Sequence, residues 1–186
     1  MKPLWRVFPW DPNSPDGAPF SLRYVPPPGK QTKGRFDLGT VPVLYLAETP
    51  EHAVAELLRP FTGQRITAAH LLGAGHPLPL VSVTLPPELA AGIADLTDPA
   101  VLLRYGISPD ALASRDRVRT QAISRSLHTA ELLGFRWWSA LSGDWHAIVL
   151  FLDRVPMARL GHGEPEPLSL AHPAVLDAAH ALNISI

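Results

Sequence analysis

Three kinds of chemistry-bearing residue mark this chain of 186 residues: arginines placed where an anion could be gripped, a glutamate among apolar residues, and a serine among aromatic rings. Arg6 lies in Leu-Trp-Arg-Val-Phe, residues 4–8. A charge inside so apolar a stretch needs a partner, either a carboxylate or an anionic ligand, and the residues alone leave both open. Arg35 follows Gly34 and precedes Phe36. Glycine permits an unusual backbone angle or close approach of a ligand. A guanidinium grips phosphate oxygens through two parallel hydrogen bonds, so Arg35 fits a phosphate site; a surface arginine after a loop is the plainer alternative.

Glu56 sits in Pro-Glu-His-Ala-Val-Ala-Glu-Leu-Leu, residues 50–58. On a helix, Ala53, Val54, Leu57 and Leu58 share one face, and Glu56 falls off the middle of it, alongside His52. It reads either as a solvated glutamate or as a carboxylate at the mouth of a cleft. Ser139 lies in Arg-Trp-Trp-Ser-Ala-Leu, where alternation puts Trp137, Ser139 and Leu141 on one strand face. A small hydroxyl among large rings can line a pocket floor or bond locally, and no Gly-x-Ser-x-Gly elbow marks it as an activated nucleophile.

Other patterns exclude chemistry. His52 with Glu56 and His128 with Glu131 have helix-compatible spacing, but no His-Glu-x-x-His occurs among eight scattered histidines, so no metal site is expected. Gly-Ala-Gly at 73–75 does not open a helix after a strand, and no phosphate-binding Walker loop is present. Arg115, Arg117, Arg119 and Arg125 share a helical segment with Asp116. They read as a solvated face, with a partner or phosphate surface as the alternative.

The elements that must position these residues follow from periodicity and caps. Residues 4–8 alternate and form a first strand stopped by Pro9. Val-Leu-Tyr-Leu-Ala, 43–47, is a dense apolar strand. Thr49 caps a helix that Pro50 opens, Glu51 favours and Pro60 ends, so a helix spans 50 to about 59. A short helix is expected at 66–75, a strand at 79–85, and short capped helices in 97–106 and 108–113. The longest helix is expected over 114–134, ending at Gly134. Strands at 135–141 and 146–152 are joined by the turn Ser-Gly-Asp-Trp, and a last helix runs from 173 to 182. Strands and helices mix without regular alternation. The fold class expected is therefore α+β, with flanking helices on a mixed or mostly antiparallel central sheet. One domain is expected over 1–186, with a proline-rich insert at 9–28.

Composition agrees. Hydrophobic residues at 46% and charged residues at 18% support a folded core. Sixteen Lys plus Arg against 17 Asp plus Glu leave a net charge of −1, with no global pull towards nucleic acid or an anionic membrane. Cysteine is absent, which excludes disulfides and thiolate metal sites. No apolar stretch suits a signal peptide or a membrane span, so a cytoplasmic protein is expected.

Taken together, three blocks resemble the RES domain, the toxin half of RES–Xre toxin–antitoxin pairs, named for an arginine, a glutamate and a serine. They are LWRVF, GRFDLGTVPVLYLAETPEHAVAEL and GFRWWSALSGDWHAIVLF, and they lie between residues 4 and 152. The remaining 153–186 then form a C-terminal extension. The resemblance implies a fold like that of ADP-ribosyltransferases and a chain that degrades NAD by hydrolysis or phosphorolysis. It assigns the two arginines to Arg6 and Arg35, the strand tyrosine to Tyr45, the glutamate to Glu56 and the late serine to Ser139. A family serine also falls beside the Gln-bearing helix, where this chain has Val118 and Thr120. Many members carry Trp-Asn after the second arginine; here Phe36 and Asp37 stand there.

On that resemblance, Glu56, Arg6 and Ser139 are the catalytic candidates, while Arg35, Tyr45 and Phe36 are candidates for holding NAD, the last two by ring stacking. NAD would be substrate rather than resident cofactor, with inorganic phosphate as co-substrate in phosphorolysis. The implied partner is an Xre-type helix-turn-helix antitoxin, with no direct nucleic-acid contact and no membrane. Two alternatives remain: an ADP-ribosyltransferase with a protein or small-molecule acceptor, and a non-catalytic partner-binding protein.

Overall fold

Caps and prolines set the element boundaries. The Thr49 hydroxyl accepts the His52 amide at 3.3 Å and Pro50 takes the first helical position. Asp98 and Ser108 open two further helices by accepting the amides of Ala100 (2.8 Å) and Ala111 (3.2 Å). The computed structural model describes residues 2–186; Met1, the first residue of the expected 1–186 domain, lies outside the described residues. In chain order the elements are β1 (Leu4–Val7), β2 (Val43–Ala47), α1 (Pro50–Leu58), β3 (Leu72–Gly73), β4 (His76–Pro77), β5 (Pro79–Thr84), α2 (Pro87–Ala90), β6 (Ile93–Asp95), α3 (Pro99–Arg104), α4 (Pro109–Ala113), α5 (Arg117–Thr129), β7 (Gly134–Trp138), β8 (His146–Phe151), β9 (Gly161–His162), β10 (Glu166–Pro167) and α6 (Pro173–Ala181). The chain is α+β with a mixed sheet.

The chain forms two compact units. The first comprises the chain up to Tyr24, Leu46–Thr84 and Gly161–Ile186. Within it β1 runs antiparallel to β5, from Leu4 opposite Val83 to Val7 opposite Leu80, and Trp5 pairs with Ala47 at the end of β2. β9 and β10 add to β5, both antiparallel. α1 packs on α6 and on β1. Small buried residues, Ala53 and Ala55 on α1 and Ala174, Ala178 and Ala179 on α6, suit that close approach.

The second unit comprises Val25–Tyr45 and Leu85–Leu160. Here β7 pairs antiparallel with β8 and parallel with β6, which makes the sheet mixed. α5 packs on β7. The core holds Phe36, Leu96, Leu112, Leu127, Phe135, Trp137, Val149 and Phe151. Gly134 is required where β7 meets β8, because a Cβ there would fall on the Val149 carbonyl oxygen.

Four expectations change. The 66–75 segment is a short 3₁₀ turn followed by a hairpin of β3 and β4, whose turn residues Ala74 and Gly75 both have positive φ (51° and 83°). The long helix begins at Arg117 under an Asp116 cap and ends at Thr129. Glu131 turns the chain with φ 62°, and Gly134 belongs to the strand. β7 stops at Trp138, so Ser139 lies just past its end rather than within it. β6, β9, β10 and α2 add to the expected elements; each is two to four residues long, and the strands exist through their pairing with β7 or β5. Among the described residues no helix is long and apolar enough to cross a membrane.

Candidate functional site

Alternation on β1 turns Leu4, Arg6 and Phe8 inward. Arg6 is 9% exposed. Its Nη2 donates to the Tyr24 carbonyl at 3.1 Å, and its guanidinium carbon stands 4.1 Å from the centroid of the Phe8 ring. Among the described residues its buried Nη1 has no hydrogen-bond partner, and no carboxylate pairs with it. Burial alone pulls its pKa down from the ordinary arginine value to about 10. Of the two readings of Arg6, the geometry removes the structural ion pair and leaves a buried cation with an unmet donor.

Glu56 is the exposed residue of α1, its side chain 44% accessible, while His52, Ala53, Val54, Ala55 and Leu58 are buried. Burial extends further round this helix than the apolar stripe implied, taking in His52 and leaving Leu57 only half covered. His52 Nε2 lies 3.6 Å from Glu56 Oε1, one turn along the helix, so the carboxylate rests against a buried imidazole and faces outward.

In the second unit, residues 34–37 form a knot around Asp37. This carboxylate, 4% exposed, accepts the Gly34 amide at 2.6 Å and the Tyr45 hydroxyl at 2.8 Å. The same hydroxyl accepts the Phe36 amide at 3.0 Å. A Cβ at position 34 would fall on Asp37 and Tyr45, so glycine serves close packing here. Burial first, then the Asp37 charge and hydrogen bond, push the Tyr45 phenol far above its ordinary value; it stays protonated. The polar side of α5 completes the knot. Gln121 donates to the Gly34 carbonyl at 3.1 Å, Ser124 to that of Phe36 at 2.8 Å, and Thr120 to that of Arg35.

Arg35 itself is half-buried. Its Nη2 donates to the carbonyls of Leu112 (2.7 Å) and Ser114 (3.0 Å), and its guanidinium lies over Trp137, 4.7 Å from the ring centroid. It therefore pins the end of α4. Phe36 is fully buried against Phe135 and Trp137 in edge-on contacts of 5.0 and 4.8 Å. This is a core ring rather than one presented for stacking. Ser139 is 3% exposed, and its hydroxyl accepts the Leu141 amide at 3.1 Å.

The structure thus gathers Arg35, Phe36 and Tyr45 in the second unit, with Ser139 beyond β7. It carries Arg6 and Glu56 in the first unit, on elements that pack together. Asp37, Thr120, Gln121 and Ser124 escaped the sequence reading as a set. Only the placement of Thr120 near a family serine hinted at them. Among the described residues no group of three His, Asp or Glu side chains converges as metal ligands would.

The sequence model of a family described as the RES domain matches residues 3–171, running past residue 152 where the motif blocks end. No curated protein matches the chain. Among solved structures, a chain in "Crystal structure of the M.tuberculosis MbcT-MbcA toxin-antitoxin complex" is similar with a TM-score of 0.60 and 15% identity, over 95% of this chain and 86% of that one. At that identity the likeness shows a shared fold.

Proposed function

This chain belongs to the RES domain family, and from that premise we propose that it is a toxin enzyme that cleaves the nicotinamide–ribose bond of NAD. The observation that carries the reading is Arg6. A buried guanidinium with no carboxylate and an unmet Nη1 is costly unless an anion completes it, and NAD offers a diphosphate.

The chemistry suits the side chains. The nicotinamide ring is already cationic, so it leaves as a neutral base, taking the bond's electron pair without a general acid. The ribose is left as an oxocarbenium ion. Glu56, held outward against His52, is the carboxylate that stabilises this charge or orients a ribose hydroxyl. Attack by water gives ADP-ribose and releases a proton; attack by phosphate gives the 1-phosphate of ADP-ribose. In the second unit, Tyr45 is locked as a donor to Asp37, and Arg35 holds the Leu112 and Ser114 carbonyls. Transfer to a protein or small-molecule acceptor uses the same bond cleavage, and product analysis distinguishes it.

Such an activity is harmful to its own cell unless masked. The similar fold in a complex titled toxin–antitoxin supports a masking partner, which we take to be an Xre-type helix-turn-helix protein. The test is expression of the chain alone. Growth should slow and cellular NAD should fall, Glu56→Ala should abolish both effects, and the helix-turn-helix protein encoded beside it should suppress them. Equal toxicity of the wild type and a folded Glu56→Ala variant overturns the proposal.

A further inference from the structure

Between Pro9 and Tyr24 the chain runs as an irregular, proline-rich loop in which Ser21 is the one buried residue, 3% exposed. Its hydroxyl has no hydrogen-bond partner among the described residues. An alanine would fill such a position without leaving a polar group unmet, so the hydroxyl itself needs an explanation. Ser21 opens a tight turn, its carbonyl accepting the Tyr24 amide at 3.1 Å. The carbonyl of Tyr24 in turn receives Arg6 Nη2. The residues that carry the buried, unmet donors of this region, Ser21 with its Oγ and Arg6 with its Nη1, are thus linked through Tyr24 by their other polar groups, the Ser21 carbonyl and Arg6 Nη2.

The loop is fastened in that position. The Trp10 amide donates to the Pro77 carbonyl at 3.0 Å, the Asp11 amide to the Phe20 carbonyl at 2.9 Å, and the Phe20 ring lies 4.3 Å from that of His76. Phe20 takes φ 70°, a conformation an aromatic residue holds only where its surroundings impose it. The strain falls on the residue that presents Ser21.

We infer that Ser21 is a second anion-binding group, which joins Arg6 to hold a phosphate in a subsite built by the proline-rich loop. The ligand class is a phosphoryl oxyanion, either free inorganic phosphate or a phosphate of the NAD diphosphate. The inference rests on the proposed role of Arg6 and adds to it a residue outside the shared family blocks.

The test uses the full chain, titrated with inorganic phosphate and, in a Glu56→Gln background that spares the substrate, with NAD. Without ligand, Ser21→Ala should melt at or above the wild-type temperature, because it deletes an unmet buried hydroxyl; a serine with a structural role would melt lower. Its phosphate affinity should fall about tenfold or more, the effect of one charge-assisted hydrogen bond. Ser21→Cys, close in volume but a poor donor, should behave alike. Loss for phosphate alone assigns the subsite to the free ion, and loss for both ligands assigns it to the diphosphate. Wild-type affinity for both in the two Ser21 variants overturns the inference. Wild-type affinity for both in Arg6→Met overturns instead the reading it rests on.

Discussion

Replacing Arg6 by methionine separates a ligand-binding arginine from a structural one. Burial lowers the guanidinium from its ordinary value to about 10, a difference that converts to on the order of 3 kcal/mol for keeping the charge in place. Because the folded value lies below the unfolded one, this cost is fully present below about pH 10 and is relieved only as pH rises towards the unfolded value. Near neutral pH, methionine removes it. Against this, the variant loses the charged hydrogen bond to the Tyr24 carbonyl, worth about 1.5–3 kcal/mol, and the stacking over Phe8, worth about 0.5–2 kcal/mol. The two sides nearly cancel. The unliganded variant should melt within about 4 °C of the wild type, since about 1 kcal/mol moves a chain of this size by roughly 2–4 °C. Breaking a paired buried arginine would cost about 3–5 kcal/mol and lower the melting temperature by roughly 10 °C. NAD turnover should fall about a hundredfold or more, and phosphate should no longer raise the melting temperature. Calorimetry with and without phosphate, beside a turnover assay, reads both quantities. A variant that loses about 3 kcal/mol or more yet turns over NAD normally refutes the reasoning.

Arg35→Lys keeps the charge but cannot hold the Leu112 and Ser114 carbonyls and stack on Trp137 together, so both NAD affinity and melting temperature should drop, the latter by a few degrees. An unchanged melting temperature would show that the α4 anchor contributes nothing. Gly134→Ala drives a Cβ into the Val149 carbonyl and should cost several kcal/mol in urea melts, or prevent folding; a neutral result contradicts the close β7–β8 approach. Asp95 is held below its ordinary 3.8: burial pushes it up, but hydrogen bonds from Thr97 and the Arg136 charge outweigh that. Its stabilisation is therefore present above the unfolded value and lost as pH falls through the folded one. Asp95→Asn should cost at most about 1 kcal/mol at neutral pH, given its exposure, and progressively less as pH falls through the folded value. A cost that persists in acid would place its origin elsewhere.

The strand-to-helix unit was legible because its signals are local. Val43–Ala47 is a bare apolar run, and Thr49 with Pro50 states where α1 begins. The hairpin at 72–77 was misread because Ala74, a strong helix former, takes a left-handed conformation there. α5 ends under Glu131 rather than a glycine, so no residue type announced it. Strands β6, β9 and β10 are two or three residues long and exist through their neighbours. At the site, residue type marked Arg6 and Glu56 as candidates. What the sequence could not say is that Arg6 lacks a carboxylate, or that Thr120 and Ser124 reach back some 85 positions to hold the arginine segment. Those are facts of tertiary contact, invisible to a window of neighbouring residues.

The central claim, cleavage of the nicotinamide–ribose bond through Glu56, is tested most directly by resolving by mass the products of NAD incubated with purified protein, wild type and Glu56→Gln, with and without phosphate. Glutamine keeps the size and helix propensity of the exposed Glu56, so the variant should stay folded. The wild type should release nicotinamide together with ADP-ribose, or with its 1-phosphate when phosphate is present. The variant should do so at least about a hundredfold more slowly. Intact NAD after incubation with the wild type, or equal turnover by a folded Glu56→Gln protein, contradicts the account.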